Sequence, residues 1–564
     1  MRLPLLAGLA LAAASASAQP PADRLDAYAQ AAHDADRFVG SVLVARGDSV
    51  VYEAGFGLAD ASWGVPNAPD TRHRIGSLTK QFTAALVLQL AEEGDLDLDA
   101  PVTRHLPDFP AHGDRVTVRH LLAHTAGLTS YTVLPDYDAF SRLPTTPTDL
   151  VARFSADPPH FEPGSQFAYS NSGYAVLGAV VEAVTGQAYA DALRHRLLAP
   201  LGLADTGYDG AAEVRPRTSR GYERDGLGLR PATYVDPSVL YAAGGMSATV
   251  RDLHAWTRAL HGAAPFRRPE TLRAMLTPGL EGYGYGVWLD TLAAGDRAVP
   301  VVMHTGGFSG SSSALVYAPE TETTVAVLSN WGDNPVAVAR ALVALAHGAE
   351  AAPPAPRLAV RVMRAVEASG AAAAVAEVRA MRAGGGVRDE RALGEVGAEL
   401  LRRGDASGAL VVLRAGAELF PHVAGPHADL ARAHLAVGDT AAAQTGFLRA
   451  LEIAPTDDGA RAALRALGVE PPARAAVAPT PEALGAFVGD YALAPDFVLS
   501  VTREGGRLYL QATGQSRDEL VPVTESRFEI AAWGVEIEFW SGDGPPPSLT
   551  LYQHGQALVA DRVE

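Results

Sequence analysis

The segment Gly76-Ser77-Leu78-Thr79-Lys80, which leads into the apolar run 82–88, decides how the first half of this 564-residue chain is interpreted. Lys80 is the only lysine among the 46 Lys and Arg residues, so arginine supplies every other basic side chain. Arginine cannot lose its proton in a protein, whereas a buried lysine can. Ser77 precedes Lys80 by three residues, and positions i and i+3 share one face of a helix. The spacing predicts a serine hydroxyl beside a titratable amine, although a surface lysine and an N-capping serine would give the same pattern.

Length and composition limit the classes of protein that this sequence encodes. At about 150 residues per domain, 564 residues predict three or four domains. The formal charge of −18 argues against a nucleic-acid or anionic-membrane partner. The chain has no cysteine, which excludes disulfides, thiolate metal sites and a cysteine nucleophile. Its histidines lack the spacing of metal ligands, so we expect neither a metal nor another cofactor.

Residues 1–18 have the composition of a secretory signal peptide. Arg2 supplies a positive charge, residues 3–14 form an apolar run, and Ala16-Ser17-Ala18 fits the small-residue cleavage pattern. A membrane anchor is the alternative, but the run is shorter than the about 20 residues that span a bilayer. We therefore expect an exported protein, periplasmic or secreted, with no transmembrane segment left after cleavage.

Residues 22–348 have the pattern of one domain, with strands at both ends and helices between them. The predicted strands cover residues 38–46, 49–57, 283–288, 301–304, 312–317 and 324–328. The predicted helices cover residues 77–93, residues 116–124 with Gly127 as a C-cap, and residues 335–348 with Asn334 as an N-cap. This order predicts an α/β (α+β) fold, an antiparallel sheet flanked by helices. Two segments, 130–159 and 205–238, are expected to shape a pocket.

A proline-rich linker at 353–356 is followed by an Ala-rich region, 356–470, with a period of about 34 residues. Gly404-Asp405 recurs as Gly438-Asp439, and Pro421 recurs as Pro455. The region resembles an α-helical tetratricopeptide (TPR) array whose first copy is degenerate. We expect it to pack on a neighbouring domain, because stability requires about three repeats, and to offer a surface to a protein partner. An Ala-rich helical spacer without true repeats is the alternative.

Beyond a second linker at 473–481, residues 482–564 have the alternation typical of strands. Val535, Ile537 and Phe539 are separated by glutamates, which places one face inside and one outside. Glu504-Gly505-Gly506 predicts a hairpin turn. The pattern predicts a small all-β domain.

The first domain carries two more groups of polar residues: Tyr169 with Asn171, and His304-Thr305-Gly306 on a predicted strand. With Ser77-x-x-Lys80, they resemble the three motifs of the serine β-lactamase and penicillin-binding-protein superfamily. The likeness is to the branch that holds class C β-lactamases, D-aminopeptidases and β-lactamase-like esterases. Accessory sequences at 121–128, 163–174 and Gly244-Gly245-Met246 add to it, and the resemblance covers residues 22–348. Such hydrolases also often carry a C-terminal β domain.

The resemblance implies a role for each residue. Ser77 would be the nucleophile, and either Lys80 or Tyr169 would remove its proton, with the choice left open. Burial lowers the pKa of a lysine, which would let Lys80 act as a base. Asn171 would orient Lys80 and the substrate carbonyl, and the backbone N–H groups of Ser77 and Gly307 would hold the oxyanion.

His304 departs from the β-lactamase pattern, which has a lysine before Thr-Gly. That lysine helps to bind a substrate carboxylate, and a neutral histidine gives up most of this charge. Thr305 and Gly306 complete the motif and are expected to bind substrate. The departure favours ester or amide hydrolysis over β-lactam hydrolysis. A purely structural histidine at the end of a strand is the alternative.

These observations predict an exported serine hydrolase that forms an acyl-enzyme at Ser77 and hydrolyses a small ester or peptide amide. One alternative is a D-Ala-D-Ala carboxypeptidase or β-lactamase. The other is a catalytically inert scaffold whose repeats bind a protein partner. Ser77, Lys80, Tyr169 and Asn171 are all present, which argues against the inert scaffold.

Overall fold

The computed structural model describes most of the chain after residue 21. The described residues are 22–210, 214–331, 335–383, 390–455, 457–472, 480–494, 497–513, 517–524, 526–530, 535–540, 546–553 and 556–563. The predicted signal peptide, the Asn334 N-cap and residues 473–479 of the second linker lie outside them. Among the described residues, no helix is both long enough and apolar enough to cross a bilayer.

The first domain contains eleven α-helices and thirteen strands among its described residues. The helices are α1 (Ala22–Asp34), α2 (Thr79–Glu93), α3 (Val118–Leu122), α4 (Tyr137–Phe140), α5 (Pro147–Ser155), α6 (Asn171–Thr185), α7 (Tyr189–Leu193), α8 (Pro237–Gly244), α9 (Val250–His261), α10 (Pro269–Met275) and α11 (Val336–Ala346). The strands are β1 (Gly40–Arg46), β2 (Ser49–Phe56), β3 (Leu58–Asp60), β4 (Val65–Pro66), β5 (His73–Arg74), β6 (Gly207–Tyr208), β7 (Tyr222–Asp225), β8 (Gly228–Pro231), β9 (Met246–Ala248), β10 (Trp288–Ala294), β11 (Arg297–Phe308), β12 (Ser311–Ala318) and β13 (Thr323–Ser329).

Six of these strands form one antiparallel sheet in the order β10-β11-β12-β13-β1-β2. Successive side chains of a strand point to opposite faces, and in β1 both sets are apolar. Val42 and Val44 pack in the core formed with α1 and α11, whereas Leu43 and Ala45 pack in the core formed with α2, α6 and α9. Helices therefore cover both faces, as the sequence predicted.

The helix that carries Lys80 runs through the larger core. Every residue of α2 from Thr79 to Leu88 is buried. Ser77 lies one turn earlier, in the 3-10 turn Gly76–Leu78, so the predicted helix begins two residues later than the serine. The Ser77 side chain does not act as the N-cap of α2, since that position belongs to Leu78.

Two local predictions in this domain were wrong. Gly127 does not cap α3, which ends at Leu122 with Ala123 as its C-cap; the left-handed residue that follows is His124, with φ 56°. Residues 283–287 do not form a strand, because the chain turns at Gly286 (φ 75°) and the strand begins at Trp288. A Cβ at position 286 would lie 2.6 Å from the carbonyl oxygen of Lys80, so the turn packs directly on α2.

The repeat region folds as three helix pairs and a closing helix. They are α12 (Leu358–Ser369), α13 (Ala371–Ala383), α14 (Arg391–Arg402), α15 (Ala406–Leu419), α16 (Ala424–Ala436), α17 (Thr440–Ile453) and α18 (Asp458–Ala466). The recurring Gly-Asp pairs lie between the two helices of a pair. Gly404 and Gly438 adopt φ near 80° after the first helix, and the side chains of Asp405 and Asp439 then cap the second.

The last domain is a closed eight-stranded barrel preceded by α19 (Pro481–Phe487). Its strands are β14 (Gly489–Ala494), β15 (Phe497–Glu504), β16 (Arg507–Ala512), β17 (Arg517–Pro522), β18 (Arg527–Ile530), β19 (Val535–Phe539), β20 (Ser548–Gln553) and β21 (Gln556–Val563). Val535, Ile537 and Phe539 point into its core, as their alternation predicted. The barrel closes because β14 pairs with β21 as well as with β15.

Candidate active site

The turn that presents Ser77 is held in backbone contact with the third-motif strand β11. Gly76 adopts φ 50°, and a Cβ there would lie 2.9 Å from both the nitrogen and the oxygen of Gly307. A Cβ on Gly306 would lie 2.0 Å from the carbonyl oxygen of Ile75. Ser313, on the neighbouring strand β12, donates a hydrogen bond of 2.8 Å to that same oxygen. Two glycines and one hydroxyl therefore bring Ser77 next to Gly307.

The amine of Lys80 lies at the centre of the site, with no solvent exposure. Its Nζ lies 2.8 Å from Asn171 Oδ1, 2.8 Å from the carbonyl oxygen of Ala243 and 3.0 Å from Ser77 Oγ. The first two atoms only accept hydrogen bonds, whereas a serine hydroxyl can also donate. A neutral amine that donates to Asn171 and Ala243 therefore has its lone pair available to the Ser77 hydroxyl.

Burial shifts the pKa values of Lys80 and Tyr169 and so determines which protonation state of each is favoured. Desolvation lowers the pKa of Lys80 well below its ordinary value, which favours the neutral amine. Burial raises the pKa of Tyr169 well above its ordinary value, and a hydrogen bond with Ser77 only partly offsets this. The Lys80 nitrogen lies 4.9 Å from the centre of the Tyr169 ring. The cluster therefore favours a neutral lysine beside a protonated tyrosine.

Asn171 is the first residue of α6, and two hydroxyl groups from the segment 130–132 orient it. Its Nδ2 donates to Thr132 Oγ1 over 3.2 Å, and its backbone N–H donates to Ser130 Oγ over 3.2 Å. The amide oxygen is thereby directed at Lys80. Ser130 and Thr132 belong to the segment 130–159, which was predicted to shape a pocket.

His124 is a residue of the site that the sequence did not single out. Its carbonyl oxygen accepts from Ala168 N–H at 2.9 Å, and its Nδ1 accepts from Ser170 N–H at 3.1 Å, so it holds both neighbours of Tyr169. Its ring centre lies 4.2 Å from that of Tyr169. Desolvation and the nearby Lys80 lower the pKa of His124 well below its ordinary value. The contacts join segments more than 40 residues apart, and the one local signal was its place in the accessory stretch 121–128.

His304 lies behind the pocket rather than in its wall. It is 2% exposed, with Nε2 3.0 Å from the Tyr283 hydroxyl and Nδ1 2.6 Å from the carbonyl oxygen of Thr305. Burial and Lys80 lower its pKa to about 3, so the ring is neutral. Like Lys80 and Tyr169, His304 is not among the residues that line the pocket, and it lies within β11, the strand that carries the motif. Thr305 and Gly306 also lie outside the pocket wall, whereas Gly307 and Asn171 line it.

A pocket of about 350 Å³ opens over Ser77. Apolar and hydroxyl side chains form most of its wall: Tyr131, Thr132, Tyr137, Ser141, Thr233, Val235, Leu240, Phe308 and Ser309. Of the described residues that line it, only Asp138 and Arg142 are charged, and both are exposed. Arg142 is thus the one cation among the described residues of the wall, and it lies at an exposed position. Both segments expected to shape it, 130–159 and 205–238, contribute to its wall.

No group of three or more potential metal ligands occurs among the described residues. The polar atoms around Ser77 are instead an amine, a phenol, an amide and backbone groups, which are the components of nucleophilic acyl transfer.

The family model for beta-lactamase matches residues 25–350, more than half of the chain. The chain belongs to the beta-lactamase family. It is a serine hydrolase. A second model, for the tetratricopeptide repeat, matches residues 400–467.

Three relatives illustrate the range of this family. Esterase EstB of Burkholderia gladioli is 40% identical over 209 residues, which cover 34% of this chain and 53% of the esterase. A penicillin-binding protein of Bacillus subtilis (strain 168) is 24% identical over 552 residues, which cover 94% of this chain and 96% of that protein. The crystal structure of a penicillin binding protein from Bacillus halodurans is 27% identical and has a TM-score of 0.51; the match covers 56% of this chain and 99% of that one.

Proposed function

We propose that this beta-lactamase-family hydrolase cleaves a small ester or amide through an acyl-enzyme at Ser77, with Lys80 as the base of the acylation step. The observation that carries the proposal is the environment of the Lys80 amine. Two fixed acceptors take its two protons, and the third neighbour is the Ser77 hydroxyl. In this arrangement the buried amine accepts the proton of the nucleophile.

Acylation begins with attack of Ser77 on the substrate and ends with loss of the leaving group. Ser77 Oγ attacks the carbonyl carbon of the substrate while its proton passes to Lys80 Nζ. The negative charge on the carbonyl oxygen is held by the N–H groups of Ser77 and Gly307, which the contact between Gly76 and Gly307 brings side by side. Donors placed in this way contribute about 3–4 kcal/mol each to the stability of a transition state. The tetrahedral adduct collapses when the bond to the leaving group breaks.

Tyr169 has the position and charge state of a proton carrier. Its phenol is protonated, adjoins Ser77 and lies beside Lys80. It gives its proton to the departing alcohol or amine and recovers one from the Lys80 ammonium. A water molecule then attacks the acyl carbon, and the proton transfers run in reverse to release the acid and restore Ser77.

The pocket favours an uncharged acyl group. His304 occupies the place of the lysine that binds a carboxylate in β-lactamases, and it is neutral and buried. The wall near Ser77 consists of apolar and hydroxyl side chains, with charge only at exposed positions. The identity to an esterase adds support for an ester substrate. A D-Ala-D-Ala peptide, which ends in a carboxylate, is the second candidate, supported by the penicillin-binding relatives.

Pre-steady-state hydrolysis of p-nitrophenyl butyrate tests this proposal. The wild-type protein should release a burst of p-nitrophenol equal to the enzyme concentration and then turn over. Ser77→Ala should lack both phases, whereas Ser165→Ala, at an exposed serine, should retain them. Lys80→Arg places a guanidinium, which cannot lose its proton, where the buried amine is neutral, so it should also lose the burst.

The outcome that overturns the proposal is an equal rate in wild-type protein and Ser77→Ala. A β-lactam and a D-Ala-D-Ala peptide, tested on the same preparations, rank the substrate classes. A higher kcat/KM for either one than for the ester would replace the proposed substrate while keeping Ser77 as the nucleophile.

We further propose that the hydrolase is exported and that residues 1–18 are removed. The charged start, the apolar run and the Ala16-Ser17-Ala18 pattern support this assignment. Expression of the full chain in a Gram-negative host, followed by fractionation and N-terminal sequencing, should give a periplasmic or secreted protein that begins at Gln19. A cytoplasmic protein that retains Arg2 would contradict the assignment.

A further inference from the structure

The hairpin formed by β7 and β8 connects the helical repeats to the wall of the active-site pocket. At its tip, Leu227 packs against the core of the first two repeats, which α12 to α15 build. The adjacent Gly226 lies against α14, since a Cβ there would be in van der Waals contact, 3.6 Å from the Cα of Glu395. The hydrolase domain therefore packs the partly buried tip of this hairpin against the hydrophobic core of the repeats.

A network of charged side chains fixes this contact. Arg357, which precedes α12, forms an ion pair with Glu395 and lies 3.4 Å from Asp36. Asp36 belongs to the hydrolase domain and also pairs with Arg224 of the hairpin at 2.5 Å. Arg357 further approaches the carbonyl oxygen of Gly226 at 3.5 Å. All four of these side chains are largely buried, so the pairs are less screened by solvent than surface pairs.

The other end of the hairpin leads directly into the pocket. Residues 232–236 follow β8, and Thr233 and Val235 of this segment line the cavity over Ser77. The hydroxyl of Ser309 lies 2.6 Å from the carbonyl oxygen of Thr233 and 2.9 Å from the carboxylate of Glu223 at the base of the hairpin. Ser309 follows Gly307, the candidate oxyanion donor, by two residues. The hairpin thus ends at the substrate wall and at the oxyanion strand.

We propose that the first two repeats set the position of this pocket wall through the hairpin, with Leu227 as the positioning residue. The proposal rests on the function proposed above for Ser77 and gives the repeats a role in substrate selection. Packed interiors are stiff and have little free volume, so a displacement at one end of the hairpin reaches the other. The acyl part of the substrate contacts this wall, whereas the amine of Lys80 is held by α6 and α8. Loss of the Leu227 contact therefore alters which acyl groups the pocket accepts. It has a smaller effect on proton transfer between Ser77 and Lys80.

Matched substitutions in the hairpin test the proposal. Leu227→Gln removes the contact with the repeats, and Leu229→Gln makes the same change at a position that is 40% exposed on the same hairpin. The readout is the ratio of kcat/KM for p-nitrophenyl octanoate to that for the acetate. Leu227→Gln should change this ratio by about tenfold, mainly through the KM of the octanoate, because a displaced wall misplaces the long acyl group. Leu229→Gln should leave the ratio unchanged.

Hydrogen–deuterium exchange provides a measurement that does not depend on turnover. Leu227→Gln should accelerate exchange in peptides that cover residues 230–236 and 308–312, while the rest of the hydrolase domain exchanges as in wild-type protein. Arg357→Gln, which breaks the charged network without altering the hairpin, should act in the same direction. Faster exchange confined to residues 226–228, or an unchanged octanoate-to-acetate ratio in an active enzyme, would overturn the proposal. A wild-type enzyme that cleaves neither ester would contradict the proposed function alone, and the exchange pattern would still decide the role of the hairpin.

Discussion

Lys80 combines two properties that rarely occur together: it is the only lysine of the chain, and its amine is fully buried. The sequence predicted its importance because a buried lysine, unlike an arginine, can lose its proton. The two acceptors on which its proposed role as a base rests, Asn171 and the carbonyl of Ala243, lie 91 and 163 residues away. The spacing in the sequence predicted the Ser77–Lys80 pair, and the tertiary contacts support the proposal that the proton passes from Ser77 to Lys80.

The pH dependence of acylation distinguishes the two candidate bases. Desolvation lowers the pKa of Lys80, so the neutral amine is lost only when the pH falls through that lowered pKa. The pKa of Tyr169 is raised, so a tyrosinate base would require strongly alkaline solution. We expect kcat/KM for p-nitrophenyl butyrate to fall on the acidic side and to stay level through pH 9. A rate that instead climbs steadily with pH and has not levelled off by pH 9 would identify Tyr169, with its raised pKa, as the base.

The same shift makes a prediction about stability. Between the lowered pKa of folded Lys80 and its ordinary value of 10.5, the unfolded chain binds the extra proton. Stability rises with pH wherever the unfolded state binds more protons. Lys80 should therefore make the free energy of unfolding increase with pH across this window. Chemical denaturation of wild type and Lys80→Met at several pH values measures the contribution, which should be absent from the variant.

His124 illustrates what sequence reasoning missed at the scale of single residues. We expect His124→Asn to lower kcat by about tenfold or more with little change in KM, because Tyr169 would lose the contacts that orient it. Asparagine tolerates the left-handed backbone at this position, so the variant should still fold. His254→Asn, at another buried histidine of the domain, serves as the control. A lower melting temperature with unchanged kcat would assign His124 a purely structural role.

At the scale of elements, the sequence predicted the strands and helices better than the turns between them. The strands of the main sheet have apolar residues on both faces. These apolar runs predicted the strands without any knowledge of which strands pair. Residues 283–287 have strand-like composition, but the approach of Gly286 to the carbonyl of Lys80 imposes a turn. The left-handed turn at His124, just after α3, was equally unpredictable, since contacts with residues 168 and 170 hold its conformation.

The backbone contact between the Ser77 turn and β11 predicts that alanine has different effects at two neighbouring glycines, Gly306 and Gly307. In Gly306→Ala the new Cβ would lie 2.0 Å from the Ile75 oxygen and 2.4 Å from Ser313 Oγ, so the turn must move. We expect a loss of about 1–3 kcal/mol in stability, as for other overpacked sites, together with a smaller burst. Gly307→Ala adds a Cβ that meets nothing within 4 Å and should melt at the wild-type temperature. Equal melting temperatures for the two variants would show that the strand and the turn are not in fixed contact.

At the scale of the whole molecule, composition and periodicity predicted the kinds of domain but not how they join. The closure of the barrel depends on pairing between β14 and β21, which lie at opposite ends of the domain. The packing of Leu227 against the repeats joins residues that are more than 130 apart. Neither contact can be predicted from the local sequence, because each joins two distant segments and neither segment has an unusual composition. The three domains therefore form a connected assembly in which the repeats contact the hydrolase domain and, through Trp540, the barrel.

The repeats contain two separate cores, which leads to a prediction about modularity. Leu227 contacts the core of the first two pairs, whereas Phe447 is fully buried in a second core built mainly by α16, α17 and α18. Phe447→Ala should cost about 3–5 kcal/mol, because it removes a fully buried aromatic side chain that packs among alanine and leucine residues. Calorimetry should show a lower transition for the repeats, while the octanoate-to-acetate ratio of the hydrolase stays at the wild-type value. Gln444→Ala, on the same helix but only partly buried, should change neither. If the ratio moves with Phe447→Ala, the two cores unfold as one unit, and the pocket wall is sensitive to the whole array rather than to its first half.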